Sequence, residues 1–230
     1  MRATPTPAAV QLSGVSHAYG PTQALRNVSL TVAPGEVLAV TGPSGSGKST
    51  LLLLAAGVLR AQTGRVTVGG RALSELTEAA RARLRRRSIG LVLQFGQLVP
   101  DLPLLDNVAL PLLLEGHEPR DARAAAAGWL ERVGLDVDPA LLPAALSGGQ
   151  AQRAAVARAL VPGPAVVLAD EPTASLDPAA GRELLDLLVD TTTAAGGAVV
   201  VVSHDNVVAA RADRELRLAG GAVAHEVVLK

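Results

Sequence analysis

Gly42-Pro43-Ser44-Gly45-Ser46-Gly47-Lys48-Ser49 stands between a short apolar run, Val37–Thr41, and a leucine-rich stretch that begins at Lys48. Its spacing is G-x-x-x-x-G-K-[ST], and a buried strand before it with a helix after it is the context that gives the pattern meaning. Glycines here let backbone N–H groups converge on anionic oxygens, and the helix N-terminus adds partial positive charge. Lys48 would reach the β- and γ-phosphates, and the Ser49 hydroxyl, with Thr50 beside it, would face Mg2+. Average residue usage makes an accidental match in a chain this long a chance on the order of a percent. Lys48 is also one of only two lysines, with Lys230, among 21 basic residues. A compact ammonium on a flexible stem suits such a pocket better than a forked guanidinium. The segment predicts a nucleoside triphosphate site.

Outward from it, apolar runs bounded by Gly or Pro alternate with helical patterns. Val10–Tyr19 and Arg26–Val32 read as strands of a small antiparallel sheet, with a turn at Pro34-Gly35. The phosphate loop opens a helix expected over Lys48–Leu59, followed by strand Arg65–Val68, helix Thr77–Arg87 and strand Ile89–Leu93. From Pro100 to about Leu146 the pattern is helical and punctuated by Pro103, Pro111, Pro119, Pro139 and Pro143, as an inserted helical subdomain would be. Helix Gly149–Leu160, strand Val166–Ala169, helix Ala179–Thr192, strand Ala198–Val202, a short helix and a hairpin turning at Gly220-Gly221 complete the chain. Strands alternating with helices predict an α/β fold with a parallel sheet.

A phosphate loop alone fits kinases, GTPases and many motors, so the later segments decide. Val166–Ala169 ends in Asp170-Glu171. Asp170 would hold Mg2+, and Glu171 could polarise a water for in-line attack on the γ-phosphate. His204 follows the next apolar strand and could reach the same place, although a lone His at a strand end is usually structural. Leu146-Ser147-Gly148-Gly149-Gln150 precedes a helix and makes a second anion-binding helix start. Two such sites far apart in one chain are most economically explained by a head-to-tail dimer, each chain's Ser-Gly-Gly facing the other's phosphate loop across ATP.

This ordered set resembles the nucleotide-binding subunit of ATP-binding cassette (ABC) transporters, from about Val10 to Val228. The resemblance implies a P-loop ABC cassette: a RecA-like parallel-sheet core, an N-terminal antiparallel β subdomain and an inserted helical subdomain. It implies one ABC ATPase domain over 1–230, with 10–99 and 160–228 as core and 100–159 as helical subdomain. Tyr19 matches the aromatic that stacks on adenine, Gly42–Ser49 the Walker A loop, and Gln94 the loop glutamine that touches Mg2+ or the attacking water. Ser147, Gly148, Gly149 and Gln150 match the signature, Asp170 and Glu171 the Walker B pair, Asp177 the dimer-contacting loop, and His204 the switch histidine. The implied ligands are ATP and Mg2+. The implied partners are a second cassette, as a homodimer around two nucleotides, and an integral membrane permease-like subunit. That places the chain peripherally on the cytoplasmic face of the cell membrane. Segments Ala24–Leu30, Leu84–Gly90 and Asp106–Leu112 are similar to the branch holding macrolide-efflux, lipoprotein-release and cell-division ATPases, which implies export or mechanical transmission across the membrane. Phe95 directly after Gln94, Leu93, Ala151 and Arg60 depart from that branch's usual residues. Control of a cell-wall hydrolase by a membrane signalling complex would need the same engine. Soluble ribosome- or DNA-associated relatives usually carry two cassettes or a long coiled coil, and this chain has neither.

Composition narrows the partners. The 230 residues carry 21 Lys+Arg against 21 Asp+Glu, 49% hydrophobic residues, 1% aromatics and no cysteine. Neutral balance gives no global pull toward nucleic acid, and none is expected as a partner. Absent cysteines exclude disulfides, thiol catalysis and Cys-based zinc sites. The N-terminus does not read as a secretory signal, and no apolar run approaches the ~20 residues of a membrane span. Arg81, Arg83, Arg85, Arg86 and Arg87 are expected to form a solvated helix face. Trp129 is expected to pack in the core or helical subdomain, and Phe95 to lie at the subdomain junction.

Overall fold

The computed structural model describes residues 7–94, 97–203 and 206–230. Phe95 and His204 lie outside the described residues. Strands β1 (Val10–Tyr19), β2 (Thr22–Val32), β4 (Thr63–Val68) and β5 (Arg71–Ala72) form an antiparallel sheet in the order β2-β1-β4-β5. The second sheet combines β3 (Val37–Thr41), β6 (Ile89–Val92), β7 (Val166–Asp170), β8 (Ala198–Val202), β9 (Arg214–Ala219) and β10 (Ala222–Val228). Its order is β10-β9-β3-β8-β7-β6, parallel throughout except for β10, which runs back antiparallel to β9. Helices α1 (Lys48–Ala55), α2 (Glu78–Ser88), α3 (Leu104–Leu114), α4 (Pro119–Arg132), α5 (Gly148–Leu160), α6 (Pro178–Ala194) and α7 (Asn206–Arg211) fill the connections.

Of the parallel strands, β3, β7 and β8 read as nearly unbroken apolar runs because both faces are buried, whereas β9 alternates. Alternation along each strand divides them between two cores. Leu38 and Val40 of β3, Val166 and Leu168 of β7, and Val200 of β8 pack with α1 and the antiparallel sheet. Val37 and Ala39, Val167 and Ala169, and Val199 and Val201 face the opposite side, against α5 and α6. The largest fully buried side chains are all leucines, which is how a chain so poor in aromatics closes its core. Each such leucine contributes roughly 1.5–3 kcal/mol on burial.

Several boundaries differ from expectation. β2 starts at Thr22, because the β1–β2 turn falls at Gly20-Pro21, whereas Pro34-Gly35 links β2 to β3. α1 stops at Ala55, and Gly57 then turns through φ +64. The arginine cluster is a solvated face only in part: Arg83 and Arg87 are exposed, whereas Arg81, Arg85 and Arg86 are drawn into the fold. Arg81 is buried and pairs with Glu78, and Arg85 donates to the Gly57 carbonyl at 2.8 Å. Arg83, Arg86 and Arg87 converge on Glu115, just past the end of α3. Trp129 packs partly buried against the second core, with the Arg132 guanidinium 4.0 Å above its ring.

Candidate functional site

The phosphate loop leaves the C-terminal end of β3 and Asp170-Glu171 leaves that of β7, with β8 lying between them. Carboxyl ends of parallel strands are where open α/β sheets bind ligands. A cleft of about 690 Å³ opens there, and its walls bring together Tyr19, the phosphate loop, Gln94, Asp170 and Glu171.

The loop's shape depends on two glycines. Gly42 has φ +137, and a Cβ on it would collide with the Leu218 carbonyl oxygen. Gly47 has φ +100, and its Cβ would meet the Ala24 carbonyl and Leu25 Cδ2, the latter at 2.6 Å. Gly47 is also the N-cap of α1 and supplies no side-chain cap, so no side chain occupies the helix's first N–H groups. Pro43, Ser44, Gly45, Ser49 and Thr50 line the cleft. Lys48 Nζ lies across the loop, donating to the carbonyls of Gly42 (2.8 Å) and Pro43 (3.0 Å). Ser46 is the one loop residue that is buried beside the cleft without lining it. It is 2% exposed, and its N–H donates to the Pro43 carbonyl at 3.2 Å.

Asp170 is 7% exposed at the tip of β7. Glu171 follows with φ +47, a left-handed conformation uncommon outside glycine. Its amide donates to the Val202 carbonyl at 2.9 Å, and Ser203 Oγ donates to its Oε2 at 3.3 Å. Tyr19 ends β1 and is 49% exposed, with its ring against the buried His17. Thr22, Gln23 and Ala24 also line the cleft, brought in by the β1–β2 hairpin, and no local pattern marks them. Ser203 could have been anticipated, since it directly follows the apolar run of β8.

These groups fit a nucleotide with a hard cation. Two glycines let the loop pack tightly on the Leu218 and Ala24 carbonyls in this shape, an uncapped helix start faces the cleft, and an ammonium stands over the loop. Among the described residues, no group of three or more His, Cys, Asp or Glu could hold a metal alone. A hydroxyl (Ser49), a carboxylate (Asp170) and an amide (Gln94) are the sparse oxygen set expected for Mg2+ that keeps water and phosphate ligands.

Ser147–Gln150 do not line this cleft. Ser147 caps α5 in a capping box: its Oγ accepts from Gln150 N–H at 3.2 Å, and Gln150 Oε1 accepts from Ser147 N–H at 2.8 Å. A Cβ on Gly148 or Gly149 would touch Ser175 or Leu176 instead, so this helix start packs beside the segment before α6. Asp177 caps α6, with Oδ1 accepting from the Ala179 and Ala180 amides at 3.0 Å each. Those amides, Ala180 first, hold its carboxyl below the usual aspartate range. Asp177 and Glu171 share a neighbouring cavity of about 360 Å³.

The profile of the ABC transporter family matches residues 25–174. The chain belongs to the ABC transporter family. It is the ATP-binding, ATPase subunit type of that family, with the family's α/β cassette fold. This ABC cassette is 45% identical over 199 residues to the lipoprotein-releasing system ATP-binding protein LolD of Alcanivorax borkumensis, covering 86% of the chain and 87% of that protein. It is 43% identical over 216 residues to an uncharacterized ABC transporter ATP-binding protein of Mycobacterium tuberculosis, covering 92% and 87%. Among solved structures, it is similar to the dimeric ATP-binding cassette MJ0796 in a post-hydrolysis state bound to ADP and Pi. That similarity has a TM-score of 0.91 at 37% identity, over 96% of this chain and 99% of that one.

Proposed function

We propose that this cassette binds MgATP in the cleft above β3 and β7, closes head to tail on a second copy around two nucleotides, and reopens on hydrolysis to drive a membrane subunit. The observation that carries this reading is the separation of two half-sites. The phosphate loop, Asp170 and Glu171 share one cleft, while the Ser147–Gln150 helix start lies outside it. A second chain would supply what one chain lacks, and the similarity to a dimeric, nucleotide-bound cassette supports a dimer.

In this reading Tyr19 offers its ring to the adenine, and the loop amides with Lys48 hold the β- and γ-phosphates. Ser49, Gln94 and Asp170 hold the Mg2+, which neutralises charge on the phosphates when bound. Glu171 orients the attacking water and accepts its proton, as a general base must. Its Oε2 is steadied by Ser203. Ser147, Gly148, Gly149 and Gln150 face the partner's γ-phosphate, with Asp177 beside the junction. Residues 100–159 act as a helical subdomain that moves against the core formed by 10–99 and 160–228.

For the membrane side, the lipoprotein-releasing relatives favour a partner that extracts lipoproteins from the membrane over one that exports a solute through a channel. The cassette then works peripherally at the cytoplasmic face. No helix among the described residues is long and apolar enough to cross a membrane. The test is purification of the tagged cassette from detergent-solubilised membranes of its own cells, followed by lipoprotein release from proteoliposomes. A co-purifying membrane subunit and ATP-dependent release are expected. Recovery with ribosomes or DNA and no membrane protein would overturn the reading.

A further inference from the structure

Inward positions along β1 are aliphatic at Val10, Leu12 and Val15, and then comes His17, buried to 8%. An aliphatic side chain would fill that place without the desolvation that an imidazole undergoes. The ring is instead held in one orientation. Its Nδ1 lies 3.1 Å from the Arg60 carbonyl oxygen, which can only accept, so Nδ1 carries the proton. It meets the Tyr19 ring at 4.9 Å between centroids with the planes at 78°, an edge-to-face pair. The backbone between the two rings is braced as well. Gln62 Oε1 accepts from the Ala18 N–H at 2.9 Å, and Gln62 Nε2 donates to the Ala18 carbonyl at 3.0 Å. Register shifts fall on both sides of His17, the kind of irregularity that is common beside binding sites.

We propose that His17 is a positioning residue for nucleotide binding, anchored on the Arg60 carbonyl and holding the Tyr19 ring at the angle at which a purine stacks. It touches neither nucleotide nor metal and acts only through Tyr19. The proposal rests on the reading of Tyr19 as the base platform. It also ties that platform to the phosphate cradle, because Arg60 and Gln62 lie in the segment that leads from α1 to β4.

The test separates base from phosphate. KM for MgATP, kcat, and inhibition by inorganic triphosphate are measured for wild type, Tyr19→Ala, His17→Ala and His17→Phe. An edge-to-face pair predicts about a three- to tenfold rise in KM for His17→Ala. Unchanged triphosphate inhibition and kcat are expected alongside it, and they also report an intact fold. His17→Phe keeps an aromatic edge but loses the bond to the Arg60 carbonyl, and is expected to restore only part of the loss. Tyr19 is the only tyrosine in the chain, so its ring resonances in a tyrosine-labelled sample should shift in His17→Ala and shift less in His17→Phe. A KM for His17→Ala equal to wild type, or an equal loss toward triphosphate, would overturn the role of His17. If Tyr19→Ala itself leaves the ATP KM unchanged, the platform reading fails, and the positioning proposal with it.

Discussion

Arg86 donates its Nε–H to Glu115 Oε1 at 2.9 Å, joining α2 to the end of α3. Arg87 binds the other carboxylate oxygen, and Arg83 stands 3.6 Å from it. Glu115 is 8% exposed at its side chain, so these arginines replace much of the water it would otherwise have. They hold its carboxyl below the usual glutamate range, Arg87 most and Arg86 next. A lowered folded-state pKa contributes stability that is complete above the unfolded value and disappears as pH falls through the folded one. Glu115→Gln should therefore melt below wild type at neutral pH, with the gap closing under acid. Thermal melts across that range check it, and a gap independent of pH would contradict the ion-pair account.

Glu171→Gln keeps the shape of the strand end and removes a proton acceptor. General-base catalysis is typically worth 10²–10⁴-fold, and hydrolysis should fall by about that much. Nucleotide affinity should stay near wild type, and the ATP-bound dimer should accumulate in gel filtration. Turnover close to wild type would remove Glu171 from the base role.

Gly47 and Gly45 both have positive φ but differ in surroundings. A Cβ at Gly45 meets nothing within 4 Å, whereas one at Gly47 collides with Ala24 and Leu25. Gly45→Ala should thus cost backbone strain alone, about 1–2 kcal/mol, and disturb nucleotide binding less. Gly47→Ala should cost more and lose binding by displacing the start of α1. Paired denaturation and ATP-binding measurements distinguish them, and equal effects would argue against the collision.

Ser147 allows cap and phosphate contact to be pulled apart. Ser147→Ala removes the cap and should cost about 1 kcal/mol of stability. Ser147→Asp keeps a good cap but places a carboxylate opposite the partner's γ-phosphate. That variant should fold as stably as wild type within roughly 0.5 kcal/mol, yet fail to dimerise with ATP. Normal ATP-driven dimerisation of Ser147→Asp would count against the sandwich.

The sequence made the nucleotide end of the fold legible because its signals are local. A buried strand, glycines, one lysine and a helix in succession leave little choice of conformation, and β7 with its two carboxylates is similarly short and apolar. What stayed hidden depends on chain segments meeting at a distance. Arg83 and Arg87 are exposed as their charge implies, but their convergence with Arg86 on Glu115 is not legible, because Glu115, 28 residues beyond Arg87, has no local mark as a partner. β2 began earlier than its apolar pattern because Thr22 and Gln23 pair with Tyr19 and Ala18 through the hairpin, not through their own propensities. The burial of Ser46 within the loop is likewise not marked in the motif. Gln150 was read only as part of an anion site, although Ser-x-x-Gln before a helix is itself a capping signal.

The left-handed backbone of Glu171 sets stability against activity. A non-glycine residue held in a sparsely populated region costs on the order of 1–3 kcal/mol, maintained here by the bond to Val202 and the packing of β7 against β8. A glycine at that position would relieve the strain and make a sturdier protein without its carboxylate. Directed evolution for heat resistance alone would drift toward replacing Glu171, while a screen requiring ATP turnover would retain it. Hardening this cassette without silencing it therefore means seeking gains elsewhere, such as the surface of α4, and leaving the end of β7 strained.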